Sequence, residues 1–364
     1  MFRPRLAIMA MLLITALAVA TAHADTFAYV GNADSNDISV FRIEPGTGAM
    51  TPVETAPLVG VEKPGSSTPL AVSPDHRFLL AAVRSQPHVA VSFAIDAKTG
   101  RLKYLGSGPL ADSMAYIATD HSGKFLFSAS YGGNKVAVNP IGSDGVVLAA
   151  VQVIPTGLNA HAIQADPNNR YVFATNLGSD QVLGFKFDAA TGQLTPNDPS
   201  ATGVADKSGP RHFAFHPGHK FVYLLHELNG AILAFAYDED KGSWRELQRT
   251  TALPAGFDGK PWAADIHLTP DARFLYASER TSNTLTAFAV DAASGLLTPI
   301  ASVPTETQPR GFNIDPSGRY LAAVGELSNA MTVYAIDQAK GALTKLQSYP
   351  VGKKPNWVEF VAFP

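Results

Sequence analysis

GPRHFAFHPGHKFVYLLHELN, residues 209–229, reads as a strand, a tight turn and a second strand. HPGHK (216–220) carries the Pro-Gly punctuation that reverses a chain, and the flanks are rich in the aromatic and apolar residues that suit strands. A charged residue stands at each outer end, Arg211 and Glu227. The reversal makes them neighbours although they lie sixteen positions apart.

The same turn-then-strand signature recurs along the chain. SPDHRFLLAAV (73–83), DHSGKFLFSAS (120–130), DPNNRYVFATN (166–176), HPGHKFVYLLH (216–226), TPDARFLYASE (269–279) and DPSGRYLAAVG (315–325) are six copies. Their second positions, Pro74, His121, Pro167, Pro217, Pro270 and Pro316, are spaced by 47, 46, 50, 53 and 46 residues. A period of that length accommodates four short strands and their turns.

Hairpin turns give a second count. PGTG (45–48), AKTG (97–100), SDG (143–145), AATG (189–192), DKG (240–242), AASG (292–295) and AKG (339–341) number seven, one more than the first series. The extra hairpin follows FAYVGN (27–32), which matches the second strand of the unit but has no first strand before it. NWVEFVAF (356–363), at the other end of the chain, supplies the missing strand. The expected fold class is therefore all-β: a seven-bladed β-propeller closed by pairing of the C-terminal strand with the N-terminal blade, which leaves no exposed ring edge. Alternation such as Val89, Val91, Phe93, Ile95 fits packed strands, and no sustained helical periodicity is present. A sandwich or jelly roll does not account for seven near-equal periods.

The chain opens MFRPRLAIMAMLLITALAVATAHAD, with Arg3 and Arg5, an apolar run from Leu6 to Ala20, and Ala22-His23-Ala24 as a small-residue cleavage pattern. This reads as a secretory signal peptide over 1–24, cut after Ala24, followed by a single propeller domain over 25–364 in the periplasm or outside the cell. The apolar run falls short of the roughly 20 residues that span a bilayer, so no membrane partner is expected once the leader is gone. Cleavage removes two of the 28 basic residues and none of the 31 acidic ones, taking the formal net charge from −3 to −5. That balance argues against a nucleic-acid partner. With no cysteine in the chain, disulfides, thiol nucleophiles and zinc-thiolate sites are excluded.

In a propeller the start of each first strand and the end of each second strand meet at one mouth of the central channel. Six positions before the repeat's reference residue stand Thr68, Ala115, His161, Arg211, Ala264 and Arg310; ten positions after it stand Arg84, Tyr131, Leu177, Glu227, Arg280 and Glu326. Only 16% of the chain is charged, so the concentration of charge in these two registers marks a site. Its expected centre is His161, Arg211, Glu227 and Arg280, with Arg84, Tyr131, Asn176, Arg310 and Glu326 as surrounding substrate-binding residues. Several cations beside two carboxylates suit a small anionic substrate and a reaction that builds negative charge on oxygen. The bland alternative is a wet channel mouth whose charges merely pair with one another.

Other residues carry less. His216 and His219 fall in the turn at the far end and are expected to be solvated. His212 follows Arg211, and strict strand alternation would turn it away from Arg211. Asp265 and His267 alternate along one strand and could line the channel, although a buried structural pair is the simpler reading. The histidines show no metal-ligand spacing, and no GxSxG, Walker or dinucleotide fingerprint stands in a supporting context.

The stretches GPRHFAFHP, HELN, WAADIHLTPDARFLYASERT and PTETQPRGFNIDPSGRYL resemble the propeller-type 6-phosphogluconolactonases, a lactonase family that includes the fungal carboxy-muconate lactonising enzymes. The resemblance runs from about Thr26 to the last strand. It implies a seven-bladed propeller without metal or cofactor. It also implies a catalytic histidine, two arginines and a glutamate, which fall on His161 in NAHAIQADP, Arg211 in GPRH, Glu227 in HELN and Arg280 in SERT. The leader departs from the family pattern, since the phosphorylated lactone of the pentose phosphate pathway is met in the cytoplasm.

These readings point to a lactonase that opens a sugar-type lactone to its hydroxy acid. Glu227 would activate water, Arg211 or Arg280 would stabilise the oxyanion, and His161 would protonate the departing ring oxygen, with an exchange of roles between Glu227 and His161 left open. The alternatives are a non-catalytic periplasmic propeller that binds an anionic ligand or a protein, and a muconate-type lactonising enzyme. Oligomeric state is not legible.

Overall fold

The second strand of each repeat is largely apolar and buried along nearly its whole length because it packs on both faces. Phe221–His226 and Phe274–Glu279 are buried at every position, and Phe78–Val83 and Tyr171–Asn176 at all but the first. Alternate side chains go to alternate neighbours. In Asp25–Asn32, Phe27 and Tyr29 enter one apolar cluster while Ala28 and Val30 enter another. The outermost strands, such as Leu102–Pro109, face water and are mostly exposed or half-buried.

The structure is a computed structural model and describes residues 25–363; the leader expected over 1–24 lies outside them. The strands form seven four-stranded antiparallel sheets. Blade 1 consists of Asp25–Asn32, Asp37–Ile43 and Met50–Pro57, with Pro355–Phe363 as its innermost strand. Asp25 pairs with Phe363 and Val30 with Val358, so the last strand closes the ring as the sequence predicts. Blades 2 to 7 follow in chain order. Their innermost strands are Leu70–Val72, Met114–Thr119, Ala160–Ala165, Pro210–Phe215, Ala263–Leu268 and Pro309–Ile314, and each touches the innermost strands on either side.

Seven apolar clusters fill the seven gaps between adjacent blades. Each gap is also clamped at its edge. The glycine that closes the outer hairpin of one blade lies over the aromatic ring that opens the second strand of the preceding blade: Gly100 over Phe27, Gly192 over Phe125, Gly295 over Phe221. At Gly295, φ is +71° and an added Cβ would sit 2.4 Å from the Phe221 ring, so both the turn and the contact require glycine. Gly48 of blade 1 covers Tyr320 of blade 7, which carries the clamp across the closure.

Candidate active site

The innermost strands are interrupted at one level. In blade 4 Ala160 pairs with Asn176 but the next pair is Ile163 with Ala174; in blade 5 the pairing jumps from Pro210 to Phe213; in blade 6 it jumps from Ala263 to Ile266. Such bulges re-aim side chains. The amides they release are satisfied within the blade: Ala162 N donates to Thr175 Oγ1 at 2.9 Å and Asp265 N donates to Ser278 Oγ at 3.0 Å. The bulged residues include His161, Arg211, His212 and Asp265.

At one mouth the bulges and the loops after the second strands meet. Arg211 Nε donates to Glu227 Oε2 at 2.9 Å, and Arg280 Nη2 donates to the same oxygen at 2.8 Å. Arg211 is 1% exposed and its Nη1 donates to the Ala264 carbonyl. Arg280 Nε donates to the Trp262 carbonyl at 3.0 Å, and its guanidinium lies 3.9 Å from the centre of the Trp262 ring. Glu227 Oε1, Arg211 Nη2 and Arg280 Nη1 make no hydrogen bond among the described residues. The scaffold therefore holds each group rigidly by some atoms and leaves others for a ligand.

A second pair flanks the first. Arg310 Nη1 meets Glu326 Oε1 at 3.1 Å, and Gln308 Nε2 holds Glu326 Oε2 at 2.6 Å. Arg84 donates to Ser113 Oγ at 3.1 Å and Ser67 Oγ at 3.0 Å and makes no direct ion pair with a carboxylate among the described residues. His161 is buried, its ring stands 5.8 Å from that of Tyr131, and its Nδ1 is sealed from solvent without a partner. Of the residues expected at this mouth, Asn176 is the one the structure places elsewhere. It is fully buried, and its amide nitrogen holds Thr156 Oγ1 at 2.9 Å and the Gly157 carbonyl at 2.7 Å. As the last residue of its strand it fixes the loop before His161 and presents no surface to a substrate.

Four guanidiniums share this mouth with two carboxylates, and the crowding shows in their acidity. Burial, then Arg310 and Arg211, push Arg84 down to about 10; burial and then Arg211 push Arg280 down to about 9 against the pull of Glu227. Burial raises the Glu227 carboxyl, but Arg211 and Arg280 outweigh it and hold the group below its ordinary value. Burial, followed by the field of Arg211, keeps His161 well below the ordinary imidazole value, so the ring is neutral. An incoming anion would relieve the repulsion among the arginines.

The channel has a second polar cluster toward its other end. His212 does not turn away from Arg211 out of the channel, as strict alternation predicts; the bulge lets both consecutive side chains face inward. Its Nδ1 donates to Asp265 Oδ1 at 2.8 Å, and His267 Nε2 forms an ion pair with Asp265 Oδ2 at 3.2 Å. The His212 ring lies 5.2 Å from that of His161, so the two clusters touch at the middle of the channel. Strict alternation in the sequence gives His212 no place beside Arg211. The available signal was the repeated position itself, since Asp265 occupies the matching place one blade on. His216 and His219, at the rim of that end, are half-buried.

The geometry can be set beside known proteins. The family described as "Lactonase, 7-bladed beta-propeller" matches residues 56–360. A protein of Serratia proteamaculans named 6-phosphogluconolactonase is 43% identical over 288 residues, covering 79% of this chain and 84% of that protein. A Yersinia pestis protein of the same name is 41% identical over 287 residues, covering 79% and 83%. Among solved structures, the periplasmic gluconolactonase of Pseudomonas aeruginosa superposes with a TM-score of 0.83 at 32% identity, covering 93% of this chain and 100% of that one.

Proposed function

The chain belongs to the seven-bladed β-propeller lactonase family, and from that premise we propose that its arginine-rich mouth is where a sugar-type lactone is opened to the hydroxy acid. The protein is a lactone-hydrolysing enzyme, and the relatives named for 6-phosphogluconolactone and gluconolactone make sugar lactones its substrate class. The observation that carries the assignment to this mouth is Glu227, clamped through one oxygen by Arg211 and Arg280 with its other oxygen free.

Hydrolysis requires a water aimed at the lactone carbonyl, donors for the oxyanion that forms, and a proton for the ring oxygen that leaves. Glu227 Oε1 is the acceptor that orients and deprotonates the water. The clamp fixes its position at the cost of basicity, because the two cations that hold it also lower its proton affinity. The unspent N–H groups of Arg211 and Arg280 face the developing oxyanion. His161, neutral and next to Arg211, gives a hydrogen bond to the ring oxygen as a neutral imidazole, and the proton taken by Glu227 completes the leaving hydroxyl. Arg84 and Arg310 receive an anionic substituent on the substrate, with Tyr131 and Glu326 shaping the approach.

The anionic character of the substrate rests on the excess of guanidiniums over carboxylates. Location outside the cytoplasm rests on the leader-like residues 1–24 and on the periplasmic relative, and it favours an unphosphorylated acidic sugar lactone over the cytoplasmic intermediate. Residues 25–364 act as one domain. A pH-stat assay over phosphorylated and unphosphorylated aldonolactones tests the reading: hydrolysis by the native protein and its loss in Glu227→Gln and Arg211→Ala are expected, and near-normal rates in both variants would sink the assignment.

A further inference from the structure

Beyond the reacting mouth, the channel widens at its other end into a cavity of about 380 Å³, lined by Tyr116, Gln164, Asp265, His267, Trp357 and Glu359 among others. That is a volume in the range of small-molecule sites. No arginine or lysine lines it, in contrast to the first mouth. Tyr116 and Trp357 meet edge to face with ring centres 5.3 Å apart, and both remain half-buried against the open space.

The polar groups are built in, with capacity left over. Gln164 spends its amide nitrogen on Tyr116 Oη at 2.6 Å and on the Phe213 carbonyl at 3.2 Å, which leaves its carbonyl oxygen and the Tyr116 hydroxyl proton free. Trp357 Nε1 donates to Glu359 Oε1 at 2.8 Å. Asp265 is saturated by His212, His267 and the Ile266 and Phe312 amides, so it orients both imidazoles. His212 therefore points a proton-free Nε2, 4% exposed as a residue and without a partner, into the interior. No three of the His, Asp and Glu side chains among the described residues converge to hold a metal.

Half-buried aromatic surface beside separate, fixed donors and acceptors is the chemistry that receives the apolar face and the hydroxyl edge of a sugar ring. The charges nearly cancel: Asp265 and His267 sustain each other as an ion pair, and burial pushes Glu359 up to about 7. We propose that the cavity at this second mouth binds a neutral polyhydroxylated ring, a sugar in uncharged form, separately from the lactone-opening mouth. The proposal does not depend on which residues open the lactone.

Calorimetric titration of the full chain with D-glucose, gluconate and glucosamine tests it. Glucose should bind saturably in the millimolar range, and Trp357→Phe and Glu359→Gln should each weaken it by about tenfold. In a Trp262→Phe protein, glucose should still change the tryptophan emission, since Trp357 is the reporter. The proposal is overturned by an absence of saturable glucose binding, by glucose binding that both variants leave intact, by binding lost in Arg211→Ala instead, or by tighter binding of glucosamine or gluconate than of glucose at the Trp357 site.

Discussion

The two mouths of the channel are built from the same strands and differ in how charge is held. At one, four arginines face two carboxylates, and Glu227 and Glu326 are each shared or tethered by side-chain donors. At the other, Asp265 ties two imidazoles together and a raised Glu359 lies against an indole. The first arrangement leaves surplus cations, strained by their own repulsion, and is suited to binding negative charge that appears during a reaction. The second is balanced within itself and leaves single donors and acceptors around an aromatic patch. One repeat therefore yields an electrostatic site where its loops converge and a hydrogen-bonding site where its strands converge.

The largest expected effect separates the mouths by chemistry. Glu227→Gln should lower kcat for lactone hydrolysis by about 10²-fold or more, as removal of a positioned base does, with Arg211→Ala comparable through loss of an oxyanion donor. Initial rates in a pH-stat decide it. Next in size is a stability effect at the second mouth: Asp265→Ala leaves the buried His212 and the half-buried His267 without their common partner and should cost about 3 kcal/mol in urea unfolding.

A smaller effect concerns pH. Arg211 and Arg280 hold the Glu227 carboxyl below its ordinary value, so the acid limb of kcat should lie below the usual glutamate range. Arg280→Gln removes one of those cations and should move that limb upward; an unmoved limb would detach Glu227 from the reaction. The smallest effect comes from His226, which belongs to neither mouth, is fully buried, and has both ring nitrogens unpartnered. Burial pushes it down to about 4. The unfolded chain takes its proton at higher pH than the folded one, so this group's contribution is complete above about pH 6.5 and is lost as pH falls toward 4. His226→Leu should raise stability by about 1 kcal/mol at neutral pH and flatten part of that acid slope, as measured by thermal melts across pH.

Blade count, closure and the arginine-rich mouth were legible because they depend on period and register, which survive translation from sequence to structure. Pro355–Phe363 could be assigned to blade 1 from a missing strand alone. At the second mouth the alternation of Asp265 and His267 was legible, but the part played by His212 was not, because it depends on a bulge. A residue such as His212 follows strict alternation in the sequence, and only the slipped pairing at Pro210 to Phe213 turns it inward beside Arg211. Asn176 failed for a different reason: it sits one residue from the functional register, and that single step takes its side chain from the mouth into the blade interior.

The closing strand has a consequence for the order of assembly. Trp357 and Glu359 reach the channel on the segment of the described chain that is synthesised last, whereas His161, Arg211, Glu227 and Arg280 come from blades 4 to 6, which are complete before it emerges. The four residues proposed to open the lactone belong to an arc of contiguous blades, and the second mouth exists only in the finished ring. A circularly permuted chain, joined through the adjacent ends at Asp25 and Phe363 and reopened between blades 6 and 7, would make Trp357 early and blades 4 to 6 last. Comparing when each mouth forms in the two chains would turn blade order into a clock for folding.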